Sequence, residues 1–179
     1  MKRSEVNEIL DHSWSFMKTH GVHLPPFAHW APEQMRAPEA TEIRARGLGW
    51  DITDYGQGRF DELGLFLFTA RNGRAEDLGA GRGMLYAEKI MISRRDQLSP
   101  MHRHNIKAED IINRGGATLV VELYGSDDAG GFAGDRGGRV WCDGIACGVV
   151  IAYVGEGNWL RRDSAGGSPQ TQSPIIHVM

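Results

Sequence analysis

Two histidines one residue apart, His102 and His104, followed by Glu109 and the pair Gly115-Gly116, restrict this 179-residue chain more than any other feature. On an extended strand, side chains alternate between faces, so both imidazoles fall on the same side. Glu109 returns to that side if the chain turns through 105–108 and enters a neighbouring strand. Two imidazoles and one carboxylate on one side of a divalent ion leave its other side open to a substrate. A His-x-His pair alone is common on ordinary surface strands. The carboxylate, and glycines where a tight turn is needed, favour a metal site.

The N-terminal stretch reads as helix. Val6, Ile9, Leu10, Trp14 and Met17 recur at helical spacing, Ser4 is the expected N-cap, and Gly21 is the stop. His12, His20, His23 and His29 lack the spacing of a ligand set and are expected to be structural or exposed. Pro25-Pro26 forces extended chain, Pro32 opens a second short helix over 33–44, and Pro38 shortens or breaks it.

From residue 47 onward the pattern is that of strands. Gly47-Leu48-Gly49-Trp50-Asp51 is loop into strand, and the apolar run 63–69 is a buried strand. Asn72-Gly73 signals a turn, and 74–82 is expected to be a loop. Alternation resumes over 84–92, with Tyr86, Glu88, Ile90 and Ile92 on one face and Leu85, Ala87, Lys89 and Met91 on the other. One of Glu88 and Lys89 therefore looks inward if the sheet closes on itself. Further strands are expected at 99–104, 111–112 and 117–124. Residues 125–138, with six glycines and three aspartates, read as a hairpin connection. Asp127, Asp128 and Asp135 lack the alternate-residue pattern of a calcium loop. Asp143-Gly144 is a tight-turn dipeptide.

Composition narrows the partners. A net charge of −3 without a basic block speaks against nucleic acid and anionic membrane surfaces. No apolar run reaches the roughly 18 residues needed to cross a bilayer. Glu5, Asn7 and Glu8 stand shortly after Lys2-Arg3, where a signal peptide would be apolar. The chain reads as cytoplasmic. Cys142 and Cys147 are too few for a disulfide framework and are expected to be free thiols.

The spacing His-x-His-x4-Glu-x6-Gly, intact from His102 to Gly116, resembles the first signature motif of the cupins. Within them the longer text resembles the D-lyxose (D-mannose) ketol-isomerase family. The likeness is carried by Met1-Lys2-Arg3-Ser4-Glu5, His23-Leu24-Pro25-Pro26-Phe27-Ala28, Gly47-Leu48-Gly49-Trp50-Asp51, Arg71-Asn72-Gly73, Tyr86-Ala87-Glu88-Lys89-Ile90-Met91 and Glu109-Asp110-Ile111-Ile112-Asn113-Arg114-Gly115-Gly116. It runs from residue 1 to about Ile145.

The resemblance implies an all-β fold with N-terminal helices: a cupin-like jelly-roll β-barrel, incomplete at the C-terminus. Residues 1–46 would be a helical arm that also serves a homodimer, 47–154 the partial barrel, and 155–179 a divergent or truncated tail without regular structure. A second cupin motif, which supplies a fourth ligand, and the family's later glutamate have no counterpart in the tail, where Pro169, Pro174 and His177 stand in another order.

For the site, the resemblance implies manganese on His102, His104 and Glu109, with Lys89 facing the sugar. Mixed imidazole and carboxylate ligation by itself suits manganese, iron, zinc or nickel. Lys107, beside the ligands, and Lys89 are the expected catalytic ammonium groups. The implied reaction is interconversion of D-lyxose and D-xylulose, and of D-mannose and D-fructose, by proton transfer through an enediol. Two alternatives stand beside it. One is an inactive truncated cupin that only binds sugar or dimerises. The other is a different cupin enzyme, such as an iron dioxygenase, since two histidines and a carboxylate serve that chemistry too.

Overall fold

The computed structural model describes residues 1–102, 109–115, 117–127, 129, 131–133, 138–149, 151–154, 159–162 and 175–178. The elements are, in order, α1 (Arg3–Thr19), α2 (Pro32–Arg36), α3 (Thr41–Ala45), β1 (Gly49–Thr53), β2 (Leu65–Asn72), α4 (Ala75–Ala80), β3 (Ala87–Ile92), β4 (Glu109–Ile112), β5 (Leu119–Glu122), β6 (Gly125–Ser126), β7 (Phe132–Ala133), β8 (Gly138–Cys142), β9 (Ile145–Val149), β10 (Ile151–Val154), β11 (Trp159–Arg162) and β12 (Ile175–Val178). The chain is mainly strand, with helices gathered toward the N-terminus. It forms two compact units, Met1–Asn72 with Ile90–Met101, and Gly73–Lys89 with His102–Met179.

In the first unit α1 buries Ile9, Ser13 and Met17, a four-residue period that keeps one stripe inward. Ile9 and Met17 cluster with Phe66 of β2, and Leu10, Trp14, Trp50, Ile52, Ile90 and Ile92 pack against them. The helix starts earlier than Ser4 suggested. Lys2 is the N-cap, and the Glu5 carboxylate reaches back to accept from the Lys2 N–H at 2.5 Å. That back-bond satisfies an exposed amide from the third helical position, so no hydroxyl is required. Gly21, at φ 70°, ends the helix, with its N–H donating to the Lys18 carbonyl. Pro32 and Pro38 divide the next segment into α2, a 3-10 turn at Pro38–Ala40 and α3.

β1 and β2 pair antiparallel, with Asp51 opposite Leu67. Phe66, Leu67, Phe68 and Thr69 are all buried, so β2 is covered on both faces. Trp50 stands edge-on to Phe68 at 4.7 Å and donates its Nε1–H to the Ala28 carbonyl at 2.8 Å. Asp54, just after β1, is buried. It accepts from the N–H groups of Gly56 at 2.9 Å and Gly58 at 3.1 Å, and its Oδ2 lies 3.6 Å from the Met1 ammonium. These donors hold its carboxyl below the usual carboxylate range, the Gly56 N–H contributing most.

In the second unit the strands run β12-β4-β11-β8-β9, with a ribbon of β10 on β5 and another of β6 on β7. β4 pairs parallel to β12 and antiparallel to β11. Leu123 and Val140 are the buried centre, with Ile111, Leu119, Val121 and Cys142 packed on them. The β8–β9 hairpin turns through Asp143 at φ 50° and Gly144 at φ 81°, the two left-handed residues that a two-residue turn of this hand requires. Cys142, at the end of β8, is half-buried.

Three expectations are corrected. Residues 74–82 are not all loop: α4 forms there, with Glu76 and Asp77 in its first turn, where the helix dipole favours them. Residues 99–102, the described part of the expected strand 99–104, are not strand, because Pro100 has no N–H to give a ladder and Asp96 just before turns at φ 58°. Within 155–179, Trp159–Arg162 and Ile175–Val178 are strands rather than unstructured tail. Partners on β4 supply the backbone pairing that the local sequence does not signal. Among the described residues no helix is long and apolar enough to cross a membrane.

Candidate active site

Glu109 is the first residue of β4 and only 7% exposed. Two residues on, and so on the same face, Ile111 packs against Leu123 and Val140. The alternation that fills the second unit's core therefore places an ionisable residue on the face used by apolar ones. Arg162 of β11 and Ile175 of β12 stand opposite Glu109 in the two ladders.

The turn that leaves β4 is built by Asn113, 2% exposed. Its Oδ1 accepts from the Gly115 N–H at 3.0 Å, and its Nδ2 donates to the Ala117 carbonyl at 2.7 Å. Gly115, at φ 140°, takes a conformation that L side chains rarely adopt. Asn113 thus fixes the exit of the strand that bears Glu109, a role not assigned from the sequence. An asparagine two residues before the amide it binds is the Asx-turn pattern, and that was the available signal.

Lys89 lies half-buried on β3, on the face of the buried Ala87 and opposite Ile90 and Ile92. Its long stem suits that position whichever way the ammonium is used. His102 is exposed, in the segment before β4. His104 and Lys107 lie outside the described residues. Of the expected ligand set, the structure thus places His102 and Glu109 in the second unit, and no group of three metal-ligating side chains is assembled among the described residues. The donor chemistry fits a divalent ion. Glu109 brings its charge where water screens it least, and neutral imidazole is the usual nitrogen ligand for such ions. His12, His20, His23 and His29 are exposed. His20 Nδ1 is bonded to the Phe16 carbonyl and His29 stands edge-on to Trp14, which is the behaviour expected of helix-surface histidines.

Comparison with known families decides the relationship. The profile described as D-lyxose isomerase matches residues 1–153. The chain belongs to the D-lyxose isomerase family. The match passes Ile145, near which the likeness read from the sequence stops, and takes in β9 and most of β10. A protein of Escherichia coli O157:H7 named D-lyxose/D-mannose isomerase is 48% identical over 130 residues, which is 71% of this chain and 56% of that protein. One of Serratia proteamaculans with the same name is 46% identical over 136 residues, 74% of this chain and 59% of its own length. The chain therefore spans little more than half the length of these two D-lyxose isomerase family members.

Proposed function

We propose that this chain carries out, or descends from a chain that carries out, metal-dependent aldose–ketose isomerisation, with D-lyxose and D-xylulose as one pair and D-mannose and D-fructose as another. The observation that carries the reading is the family match over 1–153, which includes every residue of the proposed site. The jelly-roll barrel, the homodimer formed through the N-terminal arm and manganese as the metal belong to the same proposal.

His102, His104 and Glu109 would hold the ion, and Asn113 would hold the turn behind Glu109. When bound, the ion supplies Lewis acidity that polarises a sugar carbonyl and acidifies the adjoining C–H. In the aldose-to-ketose direction a proton leaves C2, an enediol forms, and a proton arrives at C1, while the hydroxyl proton of O2 is lost and O1 gains one. Lys89 and Lys107 are the groups we assign to the oxygens, where an ammonium stabilises charge as it develops and returns a proton. In this reading Lys89 would act from β3, while Lys107 stands two positions before Glu109 in the sequence.

A second reading has an observation of its own. The matched residues make up 56% and 59% of two isomerases, so the match leaves the rest of those proteins without a counterpart, and sugar binding or self-association without turnover is the second reading. The test is manganese retained per chain after loading and desalting, alongside xylulose formed from lyxose, each against His102→Ala. Retained metal and xylulose formation, both lost in the variant, support the isomerase. Retained metal without turnover supports the binding-only reading. Oxygen uptake with ferrous iron in place of xylulose formation would assign the site to dioxygenase chemistry instead.

A further inference from the structure

Gly73 follows β2 directly, and its N–H donates at 3.0 Å to the carbonyl of Tyr86, the residue before β3 begins at Ala87. Residues 74–85 are thereby pinched off as a loop with its ends in contact, within the roughly 6–16 residues typical of compact Ω-loops. α4 lies inside it, and the Arg82 N–H donates to the Asp77 carbonyl at 3.2 Å, which folds the far side of the loop back on that helix. Gly73 is not in the left-handed region, so a positive φ is not what calls for glycine here. Space is. A Cβ at this position would overlap the Met84 carbonyl oxygen, and would stand 3.0 Å from the Met84 carbonyl carbon and 3.3 Å from the Tyr86 oxygen. All three are backbone atoms, which cannot turn aside as the end of a side chain can. Gly79, in the same loop, has nothing within 4 Å of an added Cβ.

The contact matters because of what stands on β3. Glu88, Ile90 and Ile92 take one face of the strand and Ala87, Lys89 and Met91 the other, so each face carries one charged residue. After Ala87 the remaining residues are all half-buried, so the apolar pattern separates the two faces only weakly. A slip of one residue would exchange the faces of Glu88 and Lys89 and put a carboxylate where the ammonium stands. Loop length offers no protection against such a slip, because closure entropy changes very little when a loop of this size gains or loses one residue. We propose that Gly73 is the positioning residue for Lys89: having no side chain, it lets 84–86 seat against it, and that seat fixes the register of β3 and the face that presents the Lys89 ammonium. The catalytic consequence rests on the role proposed above for Lys89 at the sugar oxygens, whereas the positioning rests on the backbone contact alone.

The chain has four lysines, Lys2, Lys18, Lys89 and Lys107, so reductive methylation with isotope-labelled formaldehyde gives each its own magnetic-resonance signal. Gly73→Ala should move the Lys89 signal and its titration midpoint and leave those of Lys2 and Lys18 in place. The unmethylated variant should keep its manganese, while kcat for xylulose formation falls about 100-fold, the loss expected when a reacting group is displaced by roughly 1 Å. Gly79→Ala, which meets nothing, and Gly144→Ala, which strains another turn of the same unit, should leave both Lys89 and turnover unchanged. A Lys89 signal that stays in place in Gly73→Ala overturns the proposal. So does one that moves equally in Gly144→Ala, since Lys89 would then report only general loosening. If Gly73→Ala does not fold, hydrogen exchange of the wild-type chain at low urea decides. The Gly73 amide should open in the same step as the amides of Ala87–Lys89, and separate opening overturns the proposal. No xylulose from the wild-type chain, with the Lys89 signal still displaced in Gly73→Ala, would remove the isomerase reading and uphold the positioning.

Discussion

Glu109 is buried at the head of a strand whose next inward residue, Ile111, is part of an apolar cluster, so its charge has to be matched by something specific. If that match is a divalent ion, Glu109→Gln keeps the shape and removes the charge. Metal affinity should then fall by more than the roughly 10–100-fold typical of outer-sphere partners. Manganese retained per chain after desalting measures it, and unchanged retention would remove Glu109 from the ligand set. Asp54 is the contrasting carboxylate. Its folded pKa is depressed, first by the Gly56 N–H and then by the Met1 ammonium and the Gly58 N–H, against an opposing push from burial. A depressed carboxyl stabilises the fold above its unfolded pKa, about 3.9, and that contribution is lost as pH falls through the lower folded value. Asp54→Asn should therefore lower the melting temperature at neutral pH and flatten its acid limb, while a profile parallel to wild type would show that the carboxylate contributes nothing. Asn113 belongs to this scale too. Its two backbone bonds require a tertiary turn, and from the sequence it was visible only as part of a motif.

Elements differ in how far their own residues determine them. β2 is buried on both faces, and Phe66 at 1% exposure joins it to α1, so Phe66→Ala should cost about 3–5 kcal/mol. The β8–β9 turn is local: Gly144 sits at φ 81°, and Gly144→Ala should cost only about 1–2 kcal/mol through backbone strain. Urea unfolding of both variants checks the ranking, and a Gly144→Ala loss equal to that of Phe66→Ala would contradict it. Both features were legible in the sequence, one as a dense apolar run and the other as a turn dipeptide. α1 was legible as a stripe, but its first residue was not. Ser4 is a good cap in isolation, whereas the back-bond from Glu5 set the start at Lys2. α4 was missed because a six-residue helix has too little periodicity to register. The expected strand at 99–104 gave way over 99–102 because Pro100 and the left-handed Asp96 outweigh a good alternation pattern.

At the scale of the whole molecule, metal binding and stability are linked. If the folded chain holds manganese and the unfolded chain does not, free metal at roughly 100 times its Kd should add about 2.7 kcal/mol to the stability. Thermal unfolding with and without manganese measures this, and no shift would separate the fold from the site. His102, His104, Glu109, Lys89 and Lys107 were all named from spacing, alternation and the family's motif text, and the family itself was recognisable from that text. The sequence alone determined which donors are present, where the chain turns and which family it belongs to, because side-chain chemistry and local dihedral preference reside in neighbouring residues. Tertiary structure alone decided that Glu109 is buried, that β4 lies between β11 and β12, and that 145–154 contributes strands to two sheets. Those outcomes depend on pairings between segments far apart in the chain, and an isolated stretch of residues carries no record of which distant strand will satisfy its backbone.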